Sequence, residues 1–307
     1  MEIDRFQIKD EIAPLKTVIL GRADSPGPLP EPEECYDPKS REHVIKGTYP
    51  REENMIKEIE AFKTALEKHG VNVLRPLPLE NVNQIFARDV GFVVENKFFK
   101  SNILPERENE FQAILPLIQH IDPENIYYPP EEVHVEGGDV MPWHDYIFVG
   151  TYRFPDYPEY ITARTNAAAV DYLQQMFPQK KVIAFDLKKS NTNPYENALH
   201  LDCVFQPVGN GKAIVHKEGF LIEDQYKQLE KIFGKENMFH INKQEMYDMT
   251  ANVFSITPET VVSDKHFKRL NKWLRENNIN VEEISYREIA KQEGLLRCST
   301  LPLYRVY

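Results

Sequence analysis

An α/β fold assembled from five helix-then-strand units is what this sequence predicts, and three observations carry the prediction. Amphipathic helical spacing recurs five times along the 307 residues, and most of these stretches hand over to a short apolar run rich in β-branched or aromatic residues. The units follow one another at a spacing of roughly 40 to 60 residues. Two architectures fit this alternation equally: quasi-repetition of one supersecondary element, or an ordinary sheet covered by helices.

Taken in order, Thr17-Val18-Ile19-Leu20 reads as an opening strand running into Gly21-Arg22-Ala23. Residues 24 to 50 are Pro-rich and acidic with no apolar period, which predicts a long surface loop, either a lid or binding loop or a poorly ordered excursion. Met55, Ile56, Ile59, Phe62 and Leu66 recur at three and four, marking a helix that ends at Gly70, and Val71-Asn72-Val73-Leu74 is the strand after it. A second helix begins near Glu106 with Phe111, Ile114, Leu115 and Ile118 as its face. Pro116 shortens or kinks it before Ile126-Tyr127-Tyr128. A third starts near Arg164-Thr165-Asn166, turns Ala169, Val170, Leu173 and Phe177 inward, and leads to Val182-Ile183-Ala184-Phe185. The fourth runs from Glu223-Asp224 through Tyr226, Leu229 and Phe233 to Gly234. The fifth runs from Asp264 through Phe267, Leu270, Trp273 and Leu274 to Ile279-Asn280-Val281. His69-Gly70-Val71-Asn72-Val73 and Asn278-Ile279-Asn280-Val281 resemble each other locally.

Composition narrows the function classes. Apolar residues make up 41% and charged residues 28%, an ordinary globular balance, and no stretch approaches the ~20 apolar residues of a membrane helix. A water-soluble protein that does not enter a membrane is expected. Met1-Glu2-Ile3-Asp4-Arg5-Phe6 lacks the apolar run of a secretory signal, so a cytoplasmic location is expected. Cys35, Cys203 and Cys298 are too few and too scattered for a disulfide framework, which predicts reduced thiols. A net charge of -11, without clustered Lys and Arg, argues against nucleic acid and for cationic ligands. These bounds are compatible with a homo-oligomer.

Cys298 is the one thiol with acid and base partners elsewhere in the sequence. A thiol with an unperturbed pKa of about 8.5 is only slightly ionised at neutral pH, so it needs a base or a cationic neighbour. Three segments offer such groups: Phe86-Ala87-Arg88-Asp89, with Asp89 at the start of an apolar strand; Glu136-Gly137-Gly138-Asp139-Val140; and Leu199-His200-Leu201-Asp202-Cys203. Read as a strand, the last places His200 and Asp202 on one face and Leu199, Leu201 and Cys203 on the other. Cys203 is then a small buried hydrophobe, and Cys35 is incidental. Polar residues in apolar settings need partners. For any one alone, a buried ion pair such as Arg88 with Asp139 explains it equally well. His134 and Asp139 lack the HExxH or paired-His spacing of a metal site, so no metal and no cofactor are expected. Together, one Cys, one His and several carboxylates describe a nucleophile, an acid/base and a site for a planar cation, for which guanidinium is the natural candidate.

In order along the chain, Phe86-Ala87-Arg88-Asp89, Glu136-Gly137-Gly138-Asp139-Val140, His200-Leu201-Asp202-Cys203-Val204-Phe205 and Arg297-Cys298-Ser299-Thr300-Leu301-Pro302 resemble the motifs of guanidino-group-modifying enzymes. These are the arginine deiminases, dimethylarginine dimethylaminohydrolases and amidinotransferases of the pentein superfamily. Residues 14–23 and 70–76 look more like the glycine amidinotransferase branch. The resemblance implies a five-bladed α/β propeller of ββαβ-type units, one catalytic domain over residues 1–307, and a small-molecule guanidino substrate. It implies Cys298 as nucleophile, His200 as proton shuttle and Glu136 as the acid that orients His200. It also implies Asp89 and Asp202 as a guanidinium clamp, Arg164 as a ligand for the substrate carboxylate, and Arg88 and Asp139 as further substrate-binding residues. The lead-in Glu293-Gly294-Leu295-Leu296-Arg297 departs from the family by placing an acid where arginine deiminases tend to have an arginine, and residues 152–160 form an aromatic, Pro-containing insertion. The motif forms favour hydrolysis. The alternatives are transfer of the amidino group to an amine acceptor and, more remotely, a binding protein without catalysis on the same fold.

Overall fold

The computed structural model describes residues 6–307, so all but Phe6 of the amino-terminal stretch read for a secretory signal lies outside the described residues. After β1 (Leu15–Leu20), the segment expected to be a loop contains a helix, α1 (Pro38–Ile45). Asp37 caps it by accepting from the Ser40 amide at 2.7 Å, and Pro38 supplies a pre-set first helical residue. Periodicity missed it because α1 buries only Pro38, Lys39 and Ser40 and presents no apolar stripe.

The first full helix, α2 (Glu52–Lys68), buries Met55, Ile59, Phe62 and Leu66, and Phe62 packs edge-on to Phe254 and Tyr286 at 5.9 and 5.8 Å. It stops at Gly70, whose φ of 73° lets the Gly70 amide reach Glu67 O and the Val71 amide reach Leu66 O before β2 (Asn72–Leu74). A hairpin of β3 (Gly91–Val94) and β4 (Lys97–Lys100) opens the next unit. The second predicted helix is not a regular α-helix. Residues Pro105–Ala113 form a 3-10 helix, followed by the single turn α3 (Leu115–Ile118); Pro116 has no amide hydrogen to carry one ladder through both, whereas Pro105 sits at the first helical position, where none is needed. Strand β5 (Ile126–Tyr127) follows.

The third unit comprises β6 (Val140–Trp143), β7 (Tyr146–Thr151), α4 (Ala167–Met176) and β8 (Lys181–Asp186). The fourth comprises β9 (Phe205–Val208), β10 (Lys212–Val215), α5 (Glu223–Phe233) and β11 (Met238–His240). A short helix, α6 (Lys243–Tyr247), leads to the fifth: β12 (Phe254–Thr257), β13 (Thr260–Asp264), α7 (Lys268–Glu276) and β14 (Asn280–Ile284). Asp264 belongs to β13 and not to the helix. Its carboxylate is spent on the His266 and Tyr286 amides, both at 2.7 Å. Helix α7 ends as α2 does, with Asn278 at φ 59° in the glycine position and the Ile279 amide on Leu274 O. The likeness of the segments near 70 and 278 is this shared helix exit.

The last strand, β15 (Thr300–Arg305), pairs antiparallel with β1, Leu15 opposite Arg305, and so completes the first sheet. Every sheet therefore has three strands, the first antiparallel to the second and the second parallel to the third. Five ββαβ units of this kind make a five-bladed α/β propeller, which decides between the two architectures. Pro142, Pro207 and Pro302 occupy the third position of three of the first strands. Each such strand is a sheet edge, where a missing amide hydrogen is tolerated.

Candidate active site

The backbone makes a tight turn immediately before each first strand, and these five turns carry the polar residues. Asp89 precedes β3, Glu136 and Gly137–Asp139 precede β6, His200 and Leu201–Cys203 precede β9, Asn252 precedes β12 and Cys298 precedes β15. The segment 199–205 is thus a 3-10 turn leading into a strand, not a strand throughout. His200 and Asp202 both reach polar neighbours all the same, and Cys203 packs in the apolar core.

Glycines set how closely the turns approach. A Cβ on Gly138 would lie 2.7 Å from the His200 ring, and one on Gly137 would lie 2.1 Å from Arg88 O. The Glu-Gly-Gly-Asp pattern is therefore the condition for His200 to lie against this turn. His200 Nε2 meets Glu136 Oε2 at 2.8 Å. Arg164 Nη1 donates to both oxygens of Glu136, at 3.0 and 3.1 Å. Burial would raise the Glu136 pKa, but Arg164 and His200 hold it well below the carboxylate range. For His200, burial disfavours the imidazolium, and the Asp89 carboxylate together with the Glu136 hydrogen bond outweighs it and raises the pKa.

Asp89 uses one oxygen. Oδ2 accepts from Arg107 Nη1 at 3.0 Å, whereas Oδ1 is buried without a hydrogen-bond partner among the described residues and lies 3.8 Å from His200 Nδ1. A buried lone acceptor of this kind costs about 1–3 kcal/mol until something donates to it. Burial comes first in raising the Asp89 pKa, with Glu136 and Asp202 adding to it against His200 and Arg107.

Cys298 is 2% exposed. Its Sγ accepts from Asn252 Nδ2 at 3.1 Å and lies 3.6 Å from Asp202 Oδ2, while Asn252 Oδ1 accepts from the amides of Arg297 and Cys298. Burial, then the Asp202 and Asp89 carboxylates, pushes the thiol pKa well above its usual range. Asp202 is fixed by Arg297. The Arg297 guanidinium also clamps Glu11 through two bonds of 3.0 Å and donates to Gly138 O and Val140 O, so all its donors are used.

Asp89, His200 and Cys298 line one cavity of about 750 Å³. Much of its outer wall is the Pro-rich segment, with Tyr36, Asp37 and Tyr49 facing Phe86 and Glu293. Cys35 also lines it, yet burial and Asp37 push its thiol up to about 11. The insertion at 152–160 folds on itself, with Tyr152 and Tyr160 rings 5.2 Å apart, and reaches the cavity only through the adjacent Ile161.

Two expected binding residues lie elsewhere. Arg88 points away from the cavity, donating to Arg297 O and Thr300 Oγ1, while its amide donates to Cys298 O at 3.0 Å. Asp139 accepts from the Leu201 amide at 2.9 Å and holds the His200 turn. Neither lines the cavity, and the two do not pair with each other. Arg164 does line the cavity, but its Nη1 is committed to Glu136, its Nε to Ile161 O and its Nη2 to Tyr36 O. The sequence reading missed Asn252 and Arg107. The signal for Asn252 is its place in the fifth copy of the turn-then-strand pattern.

Donor atoms of Asp89, Glu136 and His200 fall within 4.8 Å of one another, a spacing compatible with a metal ion. Arg107 and Arg164 already neutralise these carboxylates, and a metal would have to enter against two guanidiniums. No described helix is long and apolar enough to cross a membrane.

Residues 41–305 match the family described as N,N dimethylarginine dimethylhydrolase, eukaryotic. The chain is 29% identical over 245 residues to the uncharacterized protein YkgA of Bacillus subtilis strain 168, covering 78% of this chain and 77% of that one. It is 24% identical over 275 residues to arginine deiminase of Listeria monocytogenes serotype 4a, covering 76% of this chain and 62% of the deiminase. Among solved structures, the N-terminal domain of ArgZ, an arginine dihydrolase from Cyanobacteria, superposes with a TM-score of 0.77 at 15% identity, over 94% of this chain and 98% of that one. The amidinotransferase SxtG from Microseira wollei gives 0.75 at 18% identity, over 98% of each chain. These two likenesses establish the shared propeller fold.

Proposed function

Because the chain belongs to the N,N dimethylarginine dimethylhydrolase family, we propose that it is a cysteine-dependent hydrolase of the guanidino group. The observation that carries the reading is the convergence, in one cavity, of the Cys298 thiol, the unpartnered Asp89 oxygen and His200, whose ring is held from behind by the buried Glu136. A guanidinium entering the cavity donates to Asp89 Oδ1 and offsets the cost of that buried acceptor. Its charge also counters the two carboxylates that keep Cys298 protonated, so the substrate itself promotes the thiolate. Asp202, beside Sγ and anchored by Arg297, provides the second negative group facing the guanidinium.

With the guanidinium in place the Cys298 thiol releases its proton to solvent, and the thiolate adds to the guanidino carbon. His200, held as imidazolium by Glu136 and Asp89, protonates the departing amine, the C–N bond breaks, and an amidino-thioether remains on Cys298. Water adds to that carbon and gives its proton to His200, and the C–S bond breaks to release a ureido product. Asn252 positions the sulfur from its other side.

Replacing Cys298 with Ala should abolish turnover of every guanidino substrate. The wild-type protein quenched during turnover should carry added mass on the peptide containing Cys298. Retained activity in the variant, or an adduct on Cys203 instead, would sink the assignment. Measuring ureido product with and without an amine acceptor such as glycine separates the two chemistries. Ureido product without acceptor is expected, and product only with acceptor would make the protein an amidinotransferase.

A further inference from the structure

Asn252, in the turn between α6 and β12, is fully buried, and its side chain has no freedom of orientation. Oδ1 accepts from the backbone amides of Arg297 at 2.9 Å and Cys298 at 3.2 Å, groups that can only donate, so the oxygen must face them. Nδ2 is thereby turned the other way, where it donates to Asp202 O at 3.3 Å and to Cys298 Sγ at 3.1 Å. These two accepted and two donated bonds match the capacity of an amide. The turn itself is pinned by the Asn252 backbone amide on Met249 O at 3.0 Å.

The bond to sulfur differs in kind from the other three. A thiol sulfur is a weak acceptor and a thiolate a charged one, so this bond strengthens when Cys298 ionises. A donor to the charged form lowers a pKa, and here it works against the acids around the sulfur. Asp202 Oδ2 lies 3.6 Å away, and burial, Asp89 and Cys203 oppose the thiolate as well. Burial keeps the neighbouring Tyr286 hydroxyl neutral, so it offers no charge. The Leu295 backbone favours the thiolate, but no side chain other than Asn252 donates to Sγ among the described residues.

Cys203 supplies the contrast. Its Sγ lies 3.9 Å from the other oxygen of Asp202 and is equally buried, yet no side chain donates to it among the described residues. Two thiols flank one carboxylate, and only the one that lines the cavity has been given a donor.

We propose that Asn252 is a catalytic residue, its Nδ2–H bond carrying the charge on the Cys298 sulfur as the thiol gives up its proton and again as the C–S bond breaks and returns its electron pair to sulfur. This rests on the covalent chemistry proposed above and adds to the placing of the sulfur a share in its ionisation. The substrate cation acts only while it is bound. The Asn252 donor acts in the free protein too, and so sets the thiolate fraction from which the substrate starts.

The test follows the pH midpoint of iodoacetamide alkylation at Cys298, read by peptide mass, in the wild type and Asn252→Ala. Loss of the donor should raise the midpoint by roughly one pH unit and lower kcat/KM for arginine or Nω-methylarginine roughly tenfold at neutral pH. The sign separates this from a purely structural role, because a loosened turn admits water to the buried thiol and moves the midpoint down toward the usual thiol range. A midpoint that falls or stays overturns the proposal. Should Asn252→Ala not fold, the wild type carries the same test. With its asparagines labelled with nitrogen-15, one side-chain amide proton should move downfield at the alkylation midpoint, and no such titrating signal should remain in Cys298→Ala. Absence of any such signal from the wild type overturns the proposal. Either failure, with an adduct still found on Cys298 during turnover, leaves the guanidino reading standing, whereas no turnover and no adduct overturns both.

Discussion

At the residue scale, the thiol is held in its unreactive form by its own neighbours. Asp202 lies 3.6 Å from Sγ and Asp89 adds a second negative charge, so both oppose ionisation. Replacing Asp202 with Asn removes one of these charges, while Arg297 stays paired with Glu11. The pH midpoint for iodoacetamide alkylation of Cys298, followed by peptide mass, should therefore move down even as turnover is lost. A midpoint that stays or rises would refute this electrostatic account. What the sequence made legible here were groups lying in motif-like turns: Asp89, Glu136, His200 and Cys298. A motif does not separate side chains that reach the cavity from those that brace its turns, as Arg88 and Asp139 do. Arg107 was invisible because only the folding of the 105–113 segment carries it to Asp89.

At the element scale, the turn before each first strand is the working part, and the strands and helices are its mount. Gly138 shows the tolerance. A methyl group there would stand 2.7 Å from His200 Cγ and Nδ1, deep in a region where neither partner can withdraw. Gly138→Ala should displace the imidazole and lower kcat on the order of 100-fold, with the far-ultraviolet circular dichroism of the fold retained. Wild-type kcat in that variant would show that the contact is not what places His200. Helices were readable where a stripe exists, as in α2 with Met55, Ile59, Phe62 and Leu66, and unreadable where a cap alone specifies one, as in α1. The 106–118 stretch has apolar spacing at Phe111, Ile114, Leu115 and Ile118, but Pro116 interrupts it.

For the whole molecule, one buried guanidinium ties three parts of the chain together. Arg297 joins Glu11 near the amino end, Asp202 in the fourth unit and the carbonyls of Gly138 and Val140 in the third. Burial opposes the Glu11 charge, but Arg297, with Arg88 and Arg305, outweighs it and lowers the pKa to about 2 from 4.5. A depressed carboxyl pKa contributes stability that is fully present above about 4.5 and is lost as pH falls toward 2, on the order of 3 kcal/mol. In urea unfolding, the stability gap between wild type and Glu11→Gln should be constant above pH 5 and shrink below 4.5. A gap independent of pH over that range would count against the tie. Five repeated units were countable from the sequence, but their closure into a ring was not, because it depends on pairing residues almost three hundred positions apart.

That pairing has a kinetic consequence. Strand β1 waits for β15 before the first sheet is complete, with Leu15 opposite Arg305. Contacts of such sequence separation raise the contact order and form late, after the local hairpins and helices. Cys298 lies two residues before β15. During vectorial synthesis the four other blades can collapse while Cys298, the proposed nucleophile, is still being made, and the cavity is complete only with the last strand to dock.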